Sequence, residues 1–158
     1  MARWTGTWIT GLASAGVVRP AGEYRGRRLG LPEAGTGSVA SFGTRLGAFL
    51  LDVVAAALIG GLVNLFVHHP DSTARAVAAN VAFLLEVAVL TAATGQSIGM
   101  RLMGIRVARL ADGAPPVPVL ALLRTVLLLA VVPALLSDRD GRGLHDKVAR
   151  TVVLRLRP

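Results

Sequence analysis

Three long apolar segments dominate the pattern of hydrophobic and polar positions, at residues 46–67, 74–94 and 117–137. Each is close to the ~20 residues that a helix rising ~1.5 Å per residue needs to cross ~30 Å of hydrocarbon. They predict an all-α membrane protein, a small bundle of three apolar segments. The first does not read as a cleavable leader, because residues 1–45 precede it and no small-residue cleavage site follows. Residues 1–41 are rich in Gly, Pro and Arg and have no sustained apolar period, so they read as a flexible arm preceding a membrane domain at 42–158. Trp4 and Trp8 suit a headgroup layer, although a tail without a role explains them equally well.

Each apolar segment carries one strongly ionisable residue near one of its ends: Asp52, Glu86 and Arg124. At ~1.5 Å per residue these lie roughly 9, 12 and 10 Å from a helix end. If the chain crosses back and forth, those ends share a side and the three charges fall in one layer. A charge in a bilayer costs at least ~2.5–3.5 kcal/mol, so an inward-facing ionic cluster is expected. Arg45 sits two turns before Asp52 and can join the cluster from the membrane entrance. Steps of four along the first helix give Ala48, Asp52, Ala56, Gly60 and Asn64, a small or polar stripe that lets a neighbouring backbone approach. The larger Phe49, Leu50, Val53 and Leu58 then face lipid or the other helices.

Composition sharpens this picture. The chain is 53% hydrophobic and only 16% charged, with 17 basic against 9 acidic residues and a net charge of +8. A soluble nucleic-acid binder is excluded by distribution, because the arginines crowd the flanks of uncharged stretches. Six arginines precede the first helix (Arg3, Arg19, Arg25, Arg27, Arg28 and Arg45), and the first loop holds Arg75 alone. The second loop has Arg101, Arg106 and Arg109, and six more basic residues lie in the tail. The positive-inside rule therefore expects a cytoplasmic N-terminus in a multi-pass plasma-membrane protein. Three full crossings leave nine basic groups inside and seven outside; a third segment that enters and returns leaves fifteen inside and one outside. The second arrangement is favoured, re-entrant or in-plane, with Pro133 available for a break. Residues 104–110 and 150–157 are short, partly alternating and β-branched, and they can pair as a cytoplasmic β ribbon only if the tail returns to the second loop's side. Otherwise each is an arginine-rich segment lying on anionic headgroups.

Four separated motifs carry a family resemblance. They are Arg45 with Asp52 in the first helix, the run GQSIGMRLMGIRV at 95–107, Arg124 in the third segment, and LHDKVARTVV at 144–153. Together they resemble the RDD family of bacterial membrane proteins over about residues 42–154. That family is named for one arginine and two aspartates, which map onto Arg45, Asp52 and Asp146; its second-loop motif maps onto Gly95, Gly99, Arg101 and Gly104. A lysine is usual in the family where Met100 stands, and a glycine is common where Arg150 stands. The resemblance implies an integral membrane protein, of a kind sometimes proposed to act in ion or small-molecule transport.

The candidates for chemistry are few. His68, His69 and Asp71 read as solvated loop residues rather than a metal site, since no third ligand is fixed nearby. His145 and Asp146 read as part of a charged turn, and the glycines of GQSIG as the end of the second helix. The residues call for no enzyme, cofactor, metal or nucleic-acid partner, and with no cysteine there is no thiol chemistry. Two functions remain. Burial alone explains the charges in a scaffold or accessory membrane protein, whose arginine face meets anionic lipid, a second copy or a membrane partner. Alternatively, Asp52 or Glu86 exchanges a proton or sodium ion in an oligomeric transporter.

Overall fold

A computed structural model of the chain describes residues 24–66, 71–129 and 142–157. Trp4, Trp8, His68, His69 and Pro133 lie outside the described residues. The described elements are a 3-10 turn (Arg27–Leu29), α1 (Phe42–Asn64), α2 (Ser72–Thr94), α3 (Ile98–Leu102), β1 (Ile105–Arg109), α4 (Pro118–Leu129), α5 (Leu144–Val148) and β2 (Thr151–Arg155).

Helix boundaries follow from caps that are visible in the sequence. Ser41 and Asp71 accept hydrogen bonds from the amides of Thr44 and Ala74, which satisfies donors that the first turns of α1 and α2 leave open. Asp71 is thus a helix cap. At the other end of α2, Gly95 adopts φ +78°, a left-handed conformation that ends the helix cheaply only as glycine. Its carbonyl then accepts from Val107 N–H at 2.7 Å, which turns the chain directly into β1.

α1 and α2 are long and apolar enough to cross a membrane. They pack antiparallel along the small-residue stripe: the buried residues of α1 are Ala48, Asp52, Ala56 and Gly60. A methyl group on Gly60 would lie 2.9 Å from the backbone of Ala79, so glycine is what sets the helix separation there. Large side chains point the other way. Leu58, Leu62, Leu65 and Phe66 are each at least 60% exposed, an apolar outer surface that lipid satisfies and water does not. Phe49 turns inward, edge-on to Phe83 with ring centres 5.8 Å apart.

In the third apolar segment the described residues include α4, which runs to Leu129, where the described stretch ends, and which buries Ala121, Arg124, Thr125 and Leu128. Two helices long and apolar enough to span a membrane are found among the described residues. Arg142 onward is back at the end of the bundle where α4 began, since β2 pairs antiparallel with β1 from Ile105↔Arg155 to Arg109↔Thr151. The ribbon expected from residues 104–110 and 150–157 forms.

Within the stretch read as an arm, residues 37–40 lie along this ribbon. Ala40 N–H donates to the Val153 carbonyl and Arg155 N–H to that of Ser38, both at 2.9 Å, so residues 37–40 cover the outer edge of β2. The arm's composition concealed this because a single edge segment needs no periodicity of its own. Together, α3, α5 and the ribbon make a cap on one end of the helices, with its own core of Ala40, Ala48, Met100, Ile105, Val107 and Val153.

Candidate functional site

The charged layer lies at the junction of the helices and the cap, and it is built as two clusters. In the first, the α1 carboxylate of Asp52 receives Ser97 Oγ on Oδ2 and Gly99 N–H on Oδ1, both at 2.6 Å. Glu86 of α2 receives Ile98 N–H at 2.8 Å, and Ser97 Oγ accepts from Met100 N–H. Three successive amides at the start of α3 are thus taken by two buried carboxylates and one hydroxyl. The approach is close: a Cβ on Gly99 would run into the Ala48 carbonyl. Asp52 and Glu86 are only 3% and 9% exposed, and each lies within electrostatic reach of the other.

The second cluster is centred on Asp146 of α5. Arg124 Nε donates to its Oδ1 at 2.9 Å and Arg45 Nη1 to its Oδ2 at 3.0 Å, while His145 Nε2 lies 3.4 Å from Oδ1. Asp146 has no exposed surface. Burial alone would raise its carboxyl, but Arg124, His145 and Arg45 beside it outweigh that and hold it down at about 2. One acid from the end of the chain thereby ties α1 to α4.

The sequence expectation placed Asp52, Glu86, Arg124 and Arg45 in a single set of ion pairs. The structure gathers them at one level, with Arg124 in electrostatic reach of Asp52, but gives them different partners. Both arginines pair with Asp146, and the intramembrane acids turn to the backbone of the 97–99 turn. The physical reason is geometric: α3 offers converging N–H groups beside α1, whereas Asp146 comes up between the arginines from below. Of the second-loop motif, Gly95 and Gly104 hold left-handed backbone, Gly99 allows the close approach to α1, and Arg101 is exposed.

Sequence reasoning named Asp146 only through the family resemblance, and passed over Ser97. His145 and Asp146 looked like one more charged turn, and the only signal for the aspartate was its place in the family motif. Ser97 stood in a run read as glycine punctuation, although a serine ahead of a short apolar helix is a cap signal.

A cavity separates the two clusters. Arg45, Leu46, Phe49 and Asp52 of α1, Phe83 and Val87 of α2, and Arg124 and Leu128 of α4 form its sides, over a floor of Met100, Ile105, His145 and Val153.

A model of the RDD family matches residues 39–150, more than two thirds of the chain. This chain belongs to the RDD family. The match begins at Val39, within the segment that pairs with β2, and takes in both clusters of this RDD protein. Comparison with curated proteins and with solved structures finds no match. Of the three residues onto which the resemblance maps the family's arginine and two aspartates, Arg45 and Asp146 meet in one ion pair and Asp52 clamps α3.

Proposed function

We propose that this RDD protein is a small bacterial plasma-membrane scaffold or accessory protein, in which buried charge fastens a polar cap to two membrane-crossing helices. The observation that carries the reading is the bridge from Arg45 through Asp146 to Arg124, which locks α1, α4 and the cap into one arrangement. Asp52 and Glu86 support it, because each is bonded to the turn that leads into the cap. A carboxylate held by backbone amides positions a chain. The cap lies on the cytoplasmic side together with the N-terminus. β2 returns to pair with β1, so the tail lies on the side of the second loop, and in this reading the third apolar segment enters the membrane and returns. The exposed arginines of the cap then face anionic headgroups, a second copy or a membrane partner.

The test is reconstitution. Wild-type protein in proteoliposomes is expected to carry no cation-dependent proton flux, while Asp52→Asn and Glu86→Gln lower the thermal unfolding midpoint in detergent. One observation favours a second reading: Glu86 Oε2 is buried without a hydrogen-bond partner. A carboxylate oxygen so placed suits exchange of a proton or sodium ion within an oligomer. Flux in wild-type vesicles that Glu86→Gln abolishes, with the fold intact, would overturn the scaffold reading in favour of this one.

A further inference from the structure

The cavity between the clusters has a donor that the fold leaves open. Arg124 is 2% exposed and lines the cavity; its Nε goes to Asp146, and its buried Nη1 has no hydrogen-bond partner. A buried charged donor without an acceptor is costly, so an acceptor entering the cavity gains what the protein alone does not supply. The walls around it are apolar: Leu46, Phe49, Phe83, Val87 and Leu128. Two lining residues of α1, Phe42 and Leu46, are themselves 42% and 41% exposed, which places the mouth on the outer apolar surface of the helices.

We propose that this cavity seats the oxyanion head of a membrane lipid on Arg124, with the acyl chain leaving past Phe42 and Leu46. Size selects the head. About 90 Å³ of space holds roughly three water-sized groups at ~30 Å³ each, enough for a bare phosphate monoester or a carboxylate and too little for a sugar or inositol head. Charge selects the mode of binding. Asp52, Glu86 and Asp146 outnumber Arg45 and Arg124 by one in formal charge, so there is no long-range pull on an anion, and the attraction is the planar guanidinium fork itself. Asp52, the acid on the wall, has each oxygen engaged by Ser97 or Gly99. The site belongs to the junction of the helices and the cap, and it is the same whichever way the helices cross and whether the protein scaffolds or transports.

The experiment uses the full chain in neutral detergent and native mass spectrometry with three probes: dioleoyl phosphatidic acid, dioleoyl phosphatidylcholine and inorganic phosphate. One phosphatidic acid per chain is expected, at least tenfold tighter than phosphatidylcholine, with phosphate neither binding nor competing at millimolar concentration. Leu46→Trp, which narrows the mouth without touching an ion pair, should weaken binding at least tenfold, whereas Val77→Ala on the exposed face of α2, away from the cavity, should leave it unchanged. A diazirine-bearing phosphatidic acid on the wild-type protein gives a readout that requires no variant, and its crosslinks should fall on Phe42, Leu46, Phe49 and Leu128. Equal binding of the two lipids overturns the proposal. So does loss of binding in Val77→Ala alone, or crosslinking confined to 50–62 of α1. Competition by free phosphate would reassign the site to a soluble oxyanion and overturn the lipid assignment.

Discussion

Asp146 concentrates the energetics of the cap in one carboxylate. Removing one partner of a buried ion pair typically costs ~3–5 kcal/mol, because the other charge is left uncompensated. Asp146→Ala removes the acceptor shared by Arg124 Nε and Arg45 Nη1, and denaturation in detergent should show a loss within that range. The same residue sets an acid limit. Its folded pKa of about 2 lies below the unfolded value, so its contribution is fully present above pH ~4 and is lost as the pH falls through 2. Melting temperature should be flat in this respect from neutral pH to about 5 and then fall, and Asp146→Asn should remove that part of the slope. Arg150 offers a gain instead. It holds φ +53° between α5 and β2, a left-handed conformation that costs a non-glycine residue roughly 1 kcal/mol. Arg150→Gly should therefore raise stability by up to about 1 kcal/mol, less the added freedom of glycine in the unfolded chain.

At the scale of elements, the turn at 95–99 joins helices to ribbon, and its glycines are not interchangeable. Gly99→Ala drives a methyl group into the Ala48 carbonyl and toward the Asp52 carboxylate. Backbone cannot yield as a flexible side chain does, so α3 must leave α1 and break the Ser97 and Gly99 hydrogen bonds to Asp52. Limited proteolysis should then cut between α2 and β1, where the wild type resists. How much of this was legible varied with the kind of signal. The Ala48–Asp52–Ala56–Gly60 face of α1 followed from spacing alone, because close helix packing in lipid demands small residues at that period. The depth of Asp52, Glu86 and Arg124 followed from helix rise. Their partners did not, because depth fixes height and says nothing of which neighbouring element brings an acid or an amide to that height. The edge segment at 37–40 was illegible for a related reason: its order comes from the carbonyls and amides of β2.

For the whole molecule, the pairing of β1 with β2 constrains topology more firmly than any charge count. The ribbon holds the second loop and the tail on one side of the bundle, whatever that side is. With no native cysteine, Pro158→Cys reports the side directly. An impermeant maleimide should label it only after the cytoplasmic face of inverted vesicles is presented. Labelling of intact cells would place the cap outside and reverse the orientation proposed above.

The bridge to Asp146 also has a history built into it. Arg45 and its counter-ion are 101 positions apart, and Arg124 and the same aspartate only 22. During synthesis the first helix therefore emerges long before the group that neutralises its arginine exists. A nascent chain stalled before residue 146 lacks the carboxylate that both guanidinium groups share. Closure of the cap onto the helices therefore waits for a group made 101 positions after Arg45.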